Sequence, residues 1–320
     1  MNSFLADFKQ TEQFEQIQKQ ISSQNFSHAH LVTCDDAFSA QIFAKLICLS
    51  LLCNSQSACM QCAGCLQTLN QSHADLFVFP KGASFVVSDA AGVVENSQSK
   101  PVFANKKVFL LENFDTANQA AQNKILKVLE EPTPNTYFVL SASNGQKILP
   151  TIKSRVQTIA LQPFSQKQLH EILQKHGKQP SEVLLSFCGG YLGKAISLME
   201  QQNFLQQFEF VLDMLKNMQN SKDIVKYSVQ MADKNTFLLK LEIMQHIFRN
   251  LLLMGQNIAL VESAEQLLLA GLEKQFSLQA ILQIQQKILL AKAYFDSNVN
   301  LNTVCDNLLL GILEIKYLWK

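Results

Sequence analysis

The stretch "HLVTCDDAFSAQIFAKLICLSLL", residues 30–52, decides the class of fold. Its first four residues read as a short strand, and Phe38, Ile42, Phe43, Leu46 and Ile47 then recur at helical spacing, which predicts a helix over 38–52. A strand running through a turn into a helix is the frame that cradles phosphate, with Gly-rich backbone N–H groups and one Lys around the anion. The turn "CDDAFSAQ" at 34–41 has neither Gly nor Lys. It carries Asp35 and Asp36, two charges that repel a phosphate. The frame of a nucleotide site therefore comes without its chemistry.

On either side of this stretch, strand and helix alternate. Upstream, Thr11 is an N-cap candidate for a helix with Phe14, Ile17 and Ile21 on its apolar face. Downstream, 76–79, 85–87, 108–111, 137–140 and 156–159 read as strands, most of them continuous apolar runs of the kind buried on both faces. Thr116 with Gln119 has the pattern of a capping box before a helix carrying Ile125, Leu126, Val128 and Leu129, which stops at Pro132. Such alternation implies a parallel α/β sheet. Beyond about residue 162 the strand signals vanish. Ser165 with Gln168 opens a helix, "CGGYLG" at 188–193 marks a turn, and the remainder is helical, with breaks expected at 254–257 and 298–302.

The totals limit the partners. Lys plus Arg number 27 against 26 Asp plus Glu, so the chain has no bulk basic charge with which to grip nucleic acid alone. The start "MNSFLADFKQTEQ" lacks the basic and apolar segments of a signal peptide, and no apolar run approaches a membrane span, so a cytoplasmic protein without membrane contact is expected. In a reducing compartment the eight Cys suggest thiols or metal ligands more than disulfides.

Four of those Cys lie together in "CNSQSACMQCAGC", residues 53–65. Adjoining C-x-x-C steps let Cys59, Cys62 and Cys65 present thiolates to one ion, and Cys53 closes a tetrahedron. With every coordination position filled by protein, a Zn²⁺ ion here is structural. Free buried thiols and an iron–sulfur cluster are the competing readings, although no fourth Cys followed by Pro stands downstream. His73 reads as a surface or capping residue and not as a ligand.

The segment "KKVFLLENFDTANQAAQNKILKVLEEPTPNTYFVLSASNGQKILPTIKSRVQ", residues 106–157, resembles bacterial clamp-loader subunits of the AAA+ superfamily, as do the four-Cys insert, "SHADLF" and "GGYLGKAISLME" at 189–200. The resemblance implies an α/β AAA+ domain at 1–162 with a zinc module at 53–65, a small helical lid domain at 163–203 and an all-α collar domain at 204–320. It puts Cys34, Ala37, Ser39, Ala40 and Gln41 in a degenerate nucleotide loop, Ala37, Ser39, Ala40 and Gln41 at the places of Gly, Gly, Lys and a hydroxyl, so that no ATP is bound and no intrinsic ATPase is expected. Glu112 stands where an active ATPase keeps its Mg²⁺-associated carboxylate, and Asn113 where it keeps a water-activating Glu; an amide is no general base. Ser141, Ser143 and Asn144, at the place of a phosphate sensor, then serve as turn and capping residues, and Lys194 is either a basic sensor or a solvated helix charge.

Ser154-Arg155 matches the Ser-Arg-Cys signature of the family, with Val156 for Cys. The resemblance implies an arginine finger reaching in trans into a neighbour's ATP site; the alternative is an Arg paired with a local carboxylate. The implied role is a non-ATPase stator of the DNA polymerase III clamp loader. Its partners are delta and gamma/tau subunits, with the sliding clamp and primed DNA reached through the complex. Two rivals remain: an active gamma/tau-like ATPase, which requires the missing Gly and Lys, and a metal or redox regulatory protein built on the Cys cluster.

Overall fold

The computed structural model describes residues 2–201, 203–256 and 263–318. The chain divides into two compact units, Met1–Phe164 with Tyr191–Gly193, and Ser165–Gly190 with Lys194–Lys320. Among the described residues no helix is long and apolar enough to cross a membrane.

The first unit contains strands β1 (Ala29–Thr33), β2 (Leu76–Phe79), β3 (Lys107–Leu111), β4 (Thr136–Ala142) and β5 (Gln157–Ala160) and helices α1 (Leu5–Lys9), α2 (Glu12–Ser22), α3 (Ala37–Leu52), α4 (Ala63–Leu69), α5 (Val87–Ser97), α6 (Gln119–Glu130) and α7 (Pro150–Lys153). The five strands form one parallel sheet in the order β2-β3-β4-β1-β5, consistent with an AAA+ fold. The central strands are apolar because helices cover both faces: β3 is buried along its whole length, while the edge strands β2 and β5 are partly open. Phe77, Phe109 and Phe138 stack across β2, β3 and β4 with ring centroids 5.1 and 5.0 Å apart, and Leu31, Leu140, Ile125 and Leu129 continue the same core.

Two expected elements differ from those found. Residues 85–87 are not a strand. Phe85 is buried, but the Val86 N–H donates to the Asp89 carboxylate, a cap that starts α5. The apolar triplet thus packs a helix start. Similarly, Thr116 does not cap α6. Asn118 does, accepting from the Ala121 N–H, while the Thr116 hydroxyl donates to the Asn113 carbonyl and accepts from the Phe85 N–H. The caps expected at Thr11 and at Ser165 with Gln168 are present.

The second unit is helical: α8 (Gln166–Lys175), α9 (Glu182–Cys188), α10 (Leu192–Gln201), α11 (Phe204–Asn217), α12 (Ser221–Met231), α13 (Phe237–Gly255), α14 (Ser263–Leu269), α15 (Leu278–Asp296) and α16 (Leu301–Leu318). The first residues of α10 belong to the first unit. Met244, Ile247, Ile284, Ile288, Leu309 and Ile312 are wholly buried along α13, α15 and α16. The break at 298–302 falls between α15 and α16; of that at 254–257, Asn257 lies outside the described residues and α13 ends at Gly255.

His30, inside β1, stacks on Phe26 with centroids 3.7 Å apart and faces the Gln157 side-chain oxygen at 3.1 Å. Burial drives its pKa down to about 4, against the Gln157 hydrogen bond and with help from nearby His28. An unfolded chain takes up this proton near pH 6.5 and the folded chain only near pH 4, so the contribution is whole above pH 6.5 and is lost as pH falls through that window. Acidification to pH 4 is expected to cost on the order of 3 kcal/mol at this residue. Urea midpoints at pH 7 and pH 4.5 check this: His30→Phe, which keeps an aromatic ring on Phe26, is expected to show a shallower acid loss than the unmodified chain.

Candidate metal centre and nucleotide cleft

The Cys cluster is assembled at the far end of α3. Cys53 ends that helix in an extended conformation, and the loop beyond it takes three left-handed residues, Gln56, Ala58 and Met60, which turn the chain back on itself. Cys62 then caps α4, its sulfur accepting the Cys65 N–H, while the Cys59 sulfur accepts the Cys62 N–H, both at 3.4 Å. The four sulfurs lie within 4.8 Å of one another; Cys53 is 3.6 Å from Cys59 and 3.8 Å from Cys62, and Cys59 is 3.9 Å from Cys65. A tetrahedron of thiolates about 2.3 Å from one Zn²⁺ has edges of roughly 3.8 Å. The cluster therefore fits a single ion. All four Cys are free of disulfides.

The environment favours thiolate at part of the cluster. At Cys53 burial opposes ionisation, yet the N–H groups of Cys59, Ser57 and Ser55 and the Ser55 hydroxyl hold the thiol below its ordinary range. Gly64 is needed because a Cβ there would sit 2.4 Å from the Leu52 carbonyl oxygen. His73 is buried and caps a turn, its Nδ1 accepting the Asp75 N–H at 3.1 Å; it is a capping residue, not a surface one, and stands outside the cluster.

At the other end of α3 a cleft opens beyond the C-terminal ends of β1, β4 and β5, lined by Thr33, Cys34, Asp35, Asn144, Lys153 and Tyr191 among others. Cys34 is buried, and burial with Asp35 and Asp36 beside it pushes its thiol up to about 11. Ala37, Ser39 and Ala40 form the first turn of α3, the last two buried. Gln41 donates to the Asn113 side-chain oxygen at 2.7 Å, and the Asn113 N–H donates to Ser141 Oγ at 3.1 Å. Two side-chain amides are thus bonded to each other, and neither can act as a general base. Half-buried Glu112 has its pKa raised by burial, against the opposing field of Lys45. Asp115 ties down the exit of β4, accepting the Ser143 hydroxyl at 2.8 Å and the Asn144 N–H at 3.0 Å, and Asn144 in turn caps the next short turn through Gln146.

Sequence reasoning missed the role of Asp36. It is the N-cap of α3 and is buried. Asp immediately before a periodic apolar run is itself a cap signal, available from the sequence.

Arg155 follows α7 and is engaged within its own chain. Its Nε donates to Glu130 Oε1 at 2.6 Å, Nη2 pairs with the same oxygen, and Nη1 donates to the Thr151 carbonyl at 2.8 Å and to Ser154 Oγ at 3.1 Å. The arginine and glutamate side chains are 32% and 44% exposed, so the pair is screened and weak. In the second unit, Lys194 lies 4.0 Å from the Phe187 ring centre and 3.6 Å from Glu242.

Comparison with known proteins agrees with this geometry. The family model described as "DNA polymerase III, delta subunit" matches residues 9–165. DNA polymerase III subunit delta' of Bacillus subtilis is 24% identical over 92% of this chain and 93% of its own length. The subunit delta' of Pseudomonas aeruginosa is 32% identical over 51% of this chain, which spans 53% of that relative. DNA polymerase III subunit gamma of Buchnera aphidicola is 23% identical over 83% of this chain and 72% of its length.

The metal reading predicts close to one ion per chain by elemental analysis, lost in Cys62→Ser and weakened in Gly64→Ala. Because the sheet core of the first unit is built independently of the cluster, far-UV circular dichroism is expected to survive chelation. Unchanged metal content in Cys59→Ser and Cys62→Ser would rule the centre out.

Proposed function

We propose that the chain is a delta-prime subunit of a DNA polymerase III clamp loader, a reading supported by its likeness to the delta' subunits, and that it is a stator without nucleotide chemistry of its own, one that completes an ATP site on a neighbouring subunit. The observation that carries this reading is the Gln41 to Asn113 hydrogen bond. It closes amide on amide the place where a hydrolytic site keeps its reactive groups. Calorimetry on the isolated chain tests it: no saturable ATP binding is expected at millimolar nucleotide, and a micromolar site would overturn the reading.

Within this role residues 1–162 are the AAA+ domain, with Cys53, Cys59, Cys62 and Cys65 holding a structural Zn²⁺. The ion would cross-link the end of α3 to the start of α4 and take no part in a reaction. Four thiolates so close together suit one ion, whereas a cluster of several irons spreads its ligands wider. Residues 163–203 serve as the lid and 204–320 as the collar. Support for a collar comes from α15, where Leu278, Leu282, Leu289 and Leu290 are about half exposed on a helix that carries few charges, a surface suited to other helices. The partners are the delta and gamma/tau subunits, and the sliding clamp and primed DNA are met through the assembly. A near-neutral net charge agrees with that division.

Arg155 is the proposed arginine finger, with Ser154 as its local support. Its guanidinium offers a planar fork to a terminal phosphate, and the exposed pair with Glu130 is weak enough to exchange for one. Arg155→Ala is expected to change stability by less than about 1 kcal/mol and to leave assembly intact. ATP turnover by the complete loader is expected to fall at the one site this subunit borders, and Arg155→Lys is expected to be defective too, since an ammonium cannot fork. Reconstituted loaders carrying each variant give the measurement; wild-type turnover in correctly assembled Arg155→Ala complexes would reduce this Arg to a surface residue.

A further inference from the structure

Asp36 does more than cap a helix. Its Oδ1 accepts the Phe38 N–H at 3.3 Å, and its Oδ2 accepts both the Ser39 hydroxyl at 2.5 Å and the Gly193 N–H at 2.7 Å. The Phe38 N–H and the Ser39 hydroxyl, at the start of α3, are donors of the kind a phosphate loop turns toward its ligand, and the Gly193 N–H joins them from the start of α10. Asp36 as a residue is 9% exposed. The 191–193 segment, part of the same compact unit, is fitted around it: a Cβ on Gly193 would lie 2.2 Å from Asp36 Oδ1 and 2.5 Å from the Phe38 Cβ. Beside it the Tyr191 hydroxyl donates to Asp35 Oδ2 at 3.1 Å.

We propose that the Asp36 carboxylate is an intramolecular substitute for phosphate, which satisfies the positive end of α3 and closes the cleft on residues 191–193. The loop is then occupied by the chain's own anion in addition to lacking Gly and Lys. This inference rests on reading 34–41 as a disarmed phosphate loop. It differs from ordinary helix capping in one respect. Asn caps a helix about as well as Asp. Here, however, donors converge on both oxygens, so the NH₂ of Asn would face a donor at one position or the other.

The test compares the full chain with Asp36→Asn and Asp36→Ala in chloride and in inorganic phosphate at equal ionic strength. Thermal midpoint and the rate of Cys34 alkylation, mapped by mass spectrometry, are the readouts; Cys34 is buried beside the site. Both variants are expected to melt several degrees lower and to be alkylated several-fold faster at Cys34. Inorganic phosphate is expected to restore the Asp36→Ala midpoint and protect its Cys34, with little effect on the unmodified chain. An Asp36→Asn protein matching the original in midpoint and alkylation would make this an ordinary cap and overturn the proposal, as would equal phosphate effects on all three proteins. If Asp36→Ala does not fold, the Asp36→Asn comparison decides alone. ATP binding by the unmodified chain would refute the disarmed-loop reading and leave the anion comparison to be judged separately.

Discussion

The first unit depends on the burial of α3. Thirteen of its residues are buried, on every face, because the helix lies between the sheet on one side and α1, α2 and α4 on the others. A helix in that position cannot slide or roll without opening the core. Its length, about 24 Å for sixteen residues, separates two sites that never touch. The N-terminus holds Asp36 beside the cleft, and the C-terminus delivers Cys53 to the Cys cluster. The one charge inside it, Lys45, is accommodated by the Asn2 side chain at 2.8 Å, and burial lowers its pKa. A metal cross-link at one end and an internal anion at the other would both act on the same rigid element.

Much of this was legible because it follows from periodicity. The apolar runs at 108–111 and 137–140 announce strands covered on both faces, and the spacing of the four Cys announces a shared ion, since both signals lie within a few neighbouring residues. What the sequence hid depends on contacts between distant residues. Phe85 reads as strand until Thr116 and Asp89 are seen to take the N–H groups around it. Asp75 gives no sign from its neighbours that its carboxylate will accept the N–H groups of Val102, Phe103 and Ala104. The two charges of "CDDAFSAQ" look alike in the sequence, yet Asp36 caps α3 and Asp35 takes the Tyr191 hydroxyl, because only Asp36 stands at the position before the helix.

On the proposed reading, the cleft is a catalytic frame that persists once its chemistry is gone. Removing a phosphate ligand and its Lys from such a fold would leave a helix N-terminus and several polar groups without partners, each expensive to bury. Here those partners are supplied internally: Asp36 for the Phe38 amide and the Ser39 hydroxyl of α3, Asn113 for Gln41, Asp115 for Ser143 and the Asn144 amide. Each of these bonds fills a place that water or nucleotide would otherwise take, so on the proposed reading the lost function and the retained fold follow from the same residues.

Arg155 stands apart from that pattern. The polar groups of the cleft are buried or partly buried and bonded within the unit, whereas Arg155 sits on a partly exposed edge, held to Glu130 by an ion pair whose value in water is small. A group needed only for its own chain's stability gains little from such a position. A group that must exchange one anion for another gains from it, because the pair orders the guanidinium at low cost and a phosphate, more highly charged than a carboxylate, competes for the same fork. On the proposed reading, the chain combines an interior closed over its own nucleotide frame with a guanidinium on a partly exposed edge, where an anion from outside can reach it.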